Sequence, residues 1–368
     1  MHTLQITPLN QWNVGTDLAK PVYISGPCSA ETEEQVIETC VRIAKKPYVN
    51  MLRAGIWKPR TRPNSFEGIG SVGLQWLKEA GKITGLPVTT EVANAKHAYE
   101  ALRMGIDVLW IGARTTVNPF AVQEIADALR GVDVPVMVKN PVNPDLELWI
   151  GAFERLNHAG ITKIAAIHRG FSTYGKNKYR NRPQWEIPIE LMRRLPQLPI
   201  ICDPSHICGV RHLLQEVAQK AMDLNFTGLM IESHIHPSKA LSDAQQQIEP
   251  EIYHQLIESL ILRTPTITDE GFLHTLEDLR EIINEHDDKL IDLLAQRMKV
   301  SQKIGEYKKT TGITILQSAR WSEIVQTRCE HGAKVGLSED FISAIFNAIH
   351  KESIRHQASV MNIKNQKP

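Results

Sequence analysis

Eight short apolar runs alternating with amphipathic stretches, then about a hundred residues with no strand character, predict an α/β (β/α)8 barrel of the TIM-barrel kind followed by a small all-α helical domain. The runs are PVYISGP from Pro21, VNMLRAG from Val49, PVTTEV from Pro87, VLWIGA from Val108, PVMVKN from Pro135, KIAAIHRG from Lys163, LPIICDPSH from Leu198 and TGLMIES from Thr227. Their near-continuous apolar character suits a parallel sheet covered on both faces. Amphipathic stretches lie between them, among them Glu31 to Lys45, Ala95 to Met104, Phe120 to Leu129, Leu146 to Asn157 and Val210 to Leu224. A doubly wound open sheet is the alternative. Eight units in about 240 residues fit the barrel better, and no G-x-G-x-x-G follows the first run. Residues before Pro21 read as a short extension over the barrel's bottom or edge.

The helical pattern breaks at RTPTITDEG, Arg263 to Gly271, where Pro, Thr and Gly intervene and Asp269 can cap the next helix. This sets the expected division: barrel over 1–263, linker over 264–271, helical domain over 272–368. From Phe272, Leu276, Leu279, Ile283, Leu290, Leu294 and Ile304 carry a helical period to about Lys309; two more helices are expected near Ser318 to Glu330 and Ser338 to Val360. A first helix of about 35 residues would run roughly 50 Å, more than a module of this size can bury by itself. A homodimer through the helical domain is therefore expected.

Charge excludes some partners. Lys plus Arg total 42 and Asp plus Glu 41, a net charge of +1, so no whole-chain field draws the protein to nucleic acid or an acidic membrane. The five Cys include no C-x-x-C, the first residues (MHTLQITPLN) lack a charged and then apolar leader, and no apolar stretch nears 18 residues. A cytoplasmic protein without a membrane partner is the expectation.

Polar residues recur where apolar runs end. Cys28 in GPCS, His206 in DPSH, Glu232 in MIES and Asp243 in KALSD offer a thiolate, an imidazole and two carboxylates. That set suits a borderline divalent cation such as manganese, iron, cobalt or zinc, and an open coordination position would let it polarise a carbonyl. Taken singly, a buried Cys is packing and a strand-end His is a structural hydrogen-bonding group; what argues for a site is their convergence on one barrel rim. The same rim carries Arg53, Lys58, Arg60, Arg114, Lys139 and Arg169. Cations at strand ends face carboxylates or anionic ligands, and Arg matches phosphate bidentately. Their number suggests two anionic substrates, with ion pairs to Glu91 or Asp203 the alternative for some.

GPCSAE (Gly26 to Glu31), LRAGIWKPRT (Leu52 to Thr61), IGAR (Ile111 to Arg114), VKNP (Val138 to Pro141), HRG (His168 to Gly170), DPSH (Asp203 to His206) and KALSDAQQ (Lys239 to Gln246) together resemble the type Iβ 3-deoxy-D-arabino-heptulosonate 7-phosphate (DAHP) synthases. The resemblance implies condensation of phosphoenolpyruvate with erythrose 4-phosphate, the first step of the shikimate pathway. It implies a metal on Cys28, His206, Glu232 and Asp243, manganese foremost, with iron, cobalt, zinc or cadmium as substitutes. By the same carry-over Arg53, Lys58, Arg114, Lys139 and Arg169 hold phosphoenolpyruvate, and Pro59, Arg60, Thr61 and Ser65 the tetrose phosphate. Lys58 is the candidate proton carrier, a metal-held water its competitor. The related 3-deoxy-D-manno-octulosonate 8-phosphate synthases are the alternative; KPRT at Lys58 to Thr61 favours the four-carbon aldose.

In the helical region, Arg297 and Lys308 are three turns apart and within about 20° of one face, which Ile304 shares, whereas Arg280 lies about 100° from Arg297. Ser353 and Gln357 form an i,i+4 pair and Arg320 opens the middle helix. A solvated face laced with ion pairs is the plain reading of that spacing. LREIINEHDDKLIDLLAQRMKVSQKIGEYKK (Leu279 to Lys309), however, resembles the first helix of the all-helical AroQ-type chorismate mutases, and the likeness runs on to Gln357. It implies rearrangement of chorismate to prephenate in an intertwined dimer, with Arg297, Lys308, Arg320, Ser353 and Gln357 lining one site and Arg280 entering the neighbour's. Lys308 and Gln357 would stabilise charge on the breaking ether oxygen. Gln317 and Trp321 stand where that family has acidic residues that hold the substrate hydroxyl, so Gln317 is the substitute candidate. The fusion implies feedback, with prephenate the expected inhibitor of the barrel; the helices as mainly a regulatory sensor remain the alternative.

Overall fold

The computed structural model describes residues 4–15, 17–18, 21–58, 66–175, 177–264 and 270–362. The chain divides into two compact units, Met1–Pro265 and Thr266–Pro368.

In the first unit each expected run contains a strand: β1 (Val22–Gly26), β2 (Met51–Arg53), β3 (Val88–Val92), β4 (Val108–Ile111), β5 (Val136–Lys139), β6 (Ile164–His168), β7 (Ile200–Cys202) and β8 (Gly228–Glu232). Each strand pairs in parallel with the next, and β8 returns to β1 with Ile24 opposite Met230, closing the barrel. Outside it run α1 (Glu33–Ile43), α2 (Val72–Thr84), α3 (Ala95–Arg103), α4 (Ala113–Thr116), α5 (Pro119–Ala128), α6 (Leu146–His158), α7 (Glu186–Arg194), α8 (Pro204–Cys208), α9 (Leu214–Asp223) and α10 (Pro250–Glu258). The chain itself signals several starts: the side chains of Thr32, Asn94, Asn118 and Asp145 accept from backbone N–H groups in the first turns of α1, α3, α5 and α6. The short helices α4 and α8 are additions at the ends of β4 and β7.

Strand alternation separates two apolar layers. Ile24, Met51, Trp110, Met137, Ile167, Ile201 and Met230 fill the barrel, while Tyr23, Leu52, Leu109, Val138 and Ala166 face outward to the helices. Leu9, Trp12 and Leu18 join the inner layer and close the barrel away from the strands' C-terminal ends. Asn157 at the end of α6 anchors this extension, donating to Gln5 O at 2.7 Å and accepting from Gln5 N at 3.0 Å. The N-terminal side is thus sealed, leaving the C-terminal mouth for polar side chains.

The second unit holds α11 (Glu270–Thr311), α12 (Ser318–Lys334) and α13 (Glu339–Asn362). The 42 residues of α11 span about 60 Å and extend beyond the expected Phe272 to Lys309 at both ends. α13 packs along both α11 and α12. Gly305 permits the closest approach: a Cβ there would lie 3.0 Å from Cα of Gln357. Among the described residues of this unit only Met298 and Ile342 are buried apolar side chains, whereas Leu279, Ile282, Ile283, Leu290, Ile291 and Leu293 are half or more exposed. No described helix is long and apolar enough to cross a membrane.

Candidate functional site

The barrel mouth gathers the strand-end residues. Arg53, Lys139 and Glu232 are the last residues of β2, β5 and β8, Arg169 follows β6, and Arg114 lies in α4 and His206 in α8. Cys28 comes two residues after β1. Gly26, at φ 150°, lets that turn close on β2, since a Cβ there would sit 2.0 Å from Arg53 O. Asp243 lies on the loop after β8 with φ at 47°, a left-handed conformation sparsely populated outside glycine.

The four metal-ligand candidates form two pairs. The Cys28 thiol donates to Asp243 Oδ2 at 3.3 Å and accepts from Lys58 Nζ at 3.0 Å. His206 Nε2 lies 3.7 Å from Glu232 Oε1, a fully buried oxygen with no hydrogen-bond partner, which Arg53 Nη2 approaches to 3.3 Å. Among the described residues no three His, Cys, Asp or Glu side chains stand together so as to hold a metal ion. By its chemistry the donor set fits a borderline divalent cation: sulfur, imidazole and two carboxylates, one of whose buried oxygens, Glu232 Oε1, has no hydrogen-bond partner. Burial and Glu232 push the Cys28 thiol up to about 12, so binding a cation here would release its proton. Burial alone would raise Asp243, but Arg180 and Lys58 hold its carboxyl well below the usual range.

A frame holds these groups. Gln247 accepts from Cys28 N at 2.9 Å and donates to Ser242 O at 2.8 Å, and Gln246 donates to Glu232 Oε2 at 2.7 Å. Arg180 Nη1 spans Asp243 Oδ1 at 3.0 Å and Gln246 Oε1 at 2.8 Å. Asp203 caps α8 by accepting from His206 N at 3.1 Å, and its Oδ2 lies 2.8 Å from both His206 Nδ1 and Lys139 Nζ. Burial opposes its ionisation, yet His206 and Lys139 keep it well below the ordinary carboxylate value. Such a carboxylate orients an imidazole whose other nitrogen can ligate. Asp203→Asn is therefore expected to destabilise the chain by about 3 kcal/mol, because it leaves Lys139 uncompensated in the interior. Thermal unfolding measures this, and an unchanged midpoint would show the pair to be dispensable.

Two of the phosphoenolpyruvate candidates, Arg53 and Lys139, lie over Trp110. Arg53 Cζ lies 4.9 Å and Lys139 Nζ 5.7 Å from its ring, whose Nε1 donates to Glu91 Oε2 at 3.0 Å. Arg169 is buried and donates through Nη1 to Asn181 Oδ1 at 2.8 Å; burial, with Arg180 and Arg114 nearby, lowers it to about 10. The ion-pair alternative thus holds for Lys139 with Asp203, while Glu91 takes Trp110. Arg53, Lys139 and Arg180 pair with Glu232, Asp203 and Asp243, whereas Lys58 and Arg169 hydrogen-bond to Cys28 and Asn181, neither a carboxylate, an arrangement suited to anionic ligands. The expected tetrose residues Pro59, Arg60, Thr61 and Ser65 lie outside the described residues. A cavity of about 930 Å³ between α9 and α10, lined by Arg211, Leu214, Ile252 and Leu256 among others, includes none of the strand-end groups and is separate from this chemistry.

Sequence reasoning assigned no role to Arg180, Gln246 or Gln247. Arg180 lies in the polar segment TYGKNKYRNRPQ, where no apolar run ends, Gln246 only closes the KALSDAQQ motif, and Gln247 follows it as an ordinary polar residue. His168 is fully buried against Trp149, Phe171, Trp185 and Phe226; burial and Arg169 lower it to about 3, so it stays neutral.

In the helical unit, Arg297 Nη1 donates to Ser353 Oγ at 2.6 Å, linking α11 to α13. Gln357 is buried with Oε1 unpartnered, one α11 turn from Lys308, whose Nζ donates to Ile315 O at 2.6 Å. Arg280 is exposed, and Arg320 pairs with Glu323 at 2.6 Å on the surface of α12. Gln317 is the N-cap of α12 without a capping side-chain bond. Trp321 lies against His350.

Residues 4–263 match the model of the DAHP synthetase I family, and residues 279–358 match chorismate mutase type II. The chain is 33% identical over 237 residues to the phospho-2-dehydro-3-deoxyheptonate aldolase of Thermotoga maritima, covering 64% of this chain and 68% of that protein. It is 25% identical over 294 residues to a 2-dehydro-3-deoxyphosphooctonate aldolase of Paraburkholderia xenovorans, covering 73% of this chain and 98% of that one. The Thermotoga crystal structure superposes with a TM-score of 0.62 at 31% identity, over 69% of this chain and 72% of that chain. A truncated form of 3-deoxy-D-arabino-heptulosonate 7-phosphate synthase from the same organism gives 0.59 at 28% identity, over 69% and 90%. The chain therefore belongs to the DAHP synthetase I family through its barrel and carries a type II chorismate mutase in its helices, joining two shikimate-pathway enzymes in one polypeptide.

Proposed function

We propose that the barrel condenses phosphoenolpyruvate with erythrose 4-phosphate in a metal-dependent reaction, and that the mutase product restrains it. The observation that carries the metal reading is the buried Glu232 Oε1, which makes no hydrogen bond and lies 3.3 Å from Arg53 and 3.7 Å from His206. Cys28, His206, Glu232 and Asp243 would hold a divalent cation, manganese foremost, which when bound acts as a Lewis acid toward a carbonyl oxygen. Arg53, Lys58, Lys139, Arg169 and Arg114 would hold phosphoenolpyruvate, a carboxylate plus a phosphate carrying about −2. Arg60 and Thr61 of the KPRT segment are assigned to the aldose phosphate.

In the reaction, C3 of phosphoenolpyruvate forms a bond to the aldehyde carbon, whose oxygen gains a proton. Water adds at C2, and cleavage of the C2–O bond releases phosphate and leaves the ketone. Lys58 is assigned the proton for the developing alkoxide: its ammonium lies 3.0 Å from Cys28 Sγ and 3.2 Å from Cys28 O, on the rim where the aldehyde would meet the ligand set. The octulosonate reading has weaker support, since that relative is 25% identical against 33% for the heptonate enzyme.

For the helices, the reading is an intertwined homodimer whose Arg280 serves the partner's site. The half-exposed apolar side chains along α11 support it, because a face of that size in water needs a cover. A cytoplasmic setting completes the reading. The test is phosphoenolpyruvate consumption with erythrose 4-phosphate, measured with manganese, with chelator and with saturating prephenate. Chelator is expected to abolish the rate and prephenate to lower it. A rate that survives chelation would remove the ligand assignment, and one indifferent to prephenate would remove the feedback.

A further inference from the structure

On α13, His350, Ser353 and Gln357 stand three and four residues apart and share one face. That face meets α11: Arg297 reaches Ser353, and Gly305 abuts Gln357. Gln357 is 9% exposed: its side-chain NH2 is the group that can donate to an ether oxygen, while its Oε1, an acceptor, has no hydrogen-bond partner. Chorismate offers two carboxylates, an ether oxygen and a ring hydroxyl. The resemblance gives Arg297, Lys308, Arg320 and Gln357, with Arg280 of a second copy, to the carboxylates and the ether. The hydroxyl remains, and neither Gln317 nor Trp321 is an acid.

The indole of Trp321 lies flat on the imidazole of His350, with ring centroids 3.9 Å apart and planes 14° from parallel. This stack fixes His350 at the end of the α13 stripe, beside the first turn of α12. The charged group acting on His350 is Arg297 from α11, and Arg328 from α12 acts on Arg297 in turn. Burial and Arg297 lower His350 from its ordinary value, so near neutral pH it is an uncharged imidazole with one donor and one bare acceptor nitrogen. An acceptor of that kind can take a hydroxyl proton as a carboxylate would, without placing negative charge beside a dianionic substrate.

We propose that His350, held flat by Trp321, hydrogen-bonds the ring hydroxyl of chorismate and is the substrate-contacting residue that replaces the absent acid. This rests on the mutase activity of the helical unit. The test is chorismate consumption by the full chain as wild type, His350→Phe, His350→Asn and His350→Ala, with helicity followed by circular dichroism. His350→Phe keeps a ring on Trp321 and loses both nitrogens; it is expected to lower kcat/KM about tenfold or more, whereas His350→Asn stays within about threefold. If the phenylalanine variant fails to fold, His350→Ala against His350→Asn carries the same comparison. Equal rates for the polar and apolar variants, or an apolar variant within about twofold of wild type, would overturn the proposal. A wild-type chain that leaves chorismate untouched would instead overturn the mutase reading.

Discussion

Cys28→Ala is expected to abolish the condensation and leave the barrel folded. The side chain is fully buried where the β1 loop meets the Asp243 loop, and its backbone N–H, donated to Gln247, survives the change. Loss of one sulfur costs about 1–2 kcal/mol of stability, ordinary for a buried truncation. Catalysis stands to lose far more. A Lewis acid contributes several kcal/mol to the transition state, and each 1.36 kcal/mol is tenfold in rate, so a fall of about 10³ or more is expected. Steady-state phosphoenolpyruvate consumption measures it, and calorimetric titration with manganese reports binding independently of turnover. A variant within about tenfold of wild type that still binds manganese would reduce Cys28 to packing. Cys40→Ala is the matched comparison: that thiol is also fully buried but packs in the outer apolar layer, and its loss is expected to leave the rate intact.

Lys308→Ala is expected to lower chorismate kcat by about 10²–10³, the usual loss when a preorganised donor to developing charge is removed. Charge on the ether oxygen exists only as the bond breaks, so kcat should fall by more than KM rises. The folded unit has little to lose, since the Lys308 ammonium is only partly buried and gives up one bond, to Ile315 O. The absorbance of chorismate follows the reaction directly. A kcat within about threefold of wild type would place charge stabilisation elsewhere, with Gln357 the next candidate.

Strands were legible because a parallel barrel buries both faces of each strand, which forces continuous apolar runs such as VLWI and VMV whatever the inner and outer partners are. The same property hid the alternation that sends Trp110 inward and Leu109 outward, since both are apolar. The rim was legible because Arg53, Lys139 and Glu232 interrupt apolar runs at their last residues, where a polar group has a clear anomaly to show. Arg180, Gln246 and Gln247 show none. Their importance lies in long-range hydrogen bonds, such as Gln247 to Cys28 across 219 residues of chain, which local pattern does not encode.

By itself the sequence determined the barrel, the three long helices and the candidate residues that carry charge or bind metal, because apolar periodicity and chemical identity are local properties. Tertiary structure decided how those residues are shared out. It sets Cys28 with Asp243 and Lys58, His206 with Glu232, and Asp203 between His206 and Lys139, since contact between side chains depends on which loops the closed barrel brings together. It also decided that Trp321, a departure in the sequence, lies on His350. A missing acid in one helix acquires a chemical replacement only when another helix packs against it.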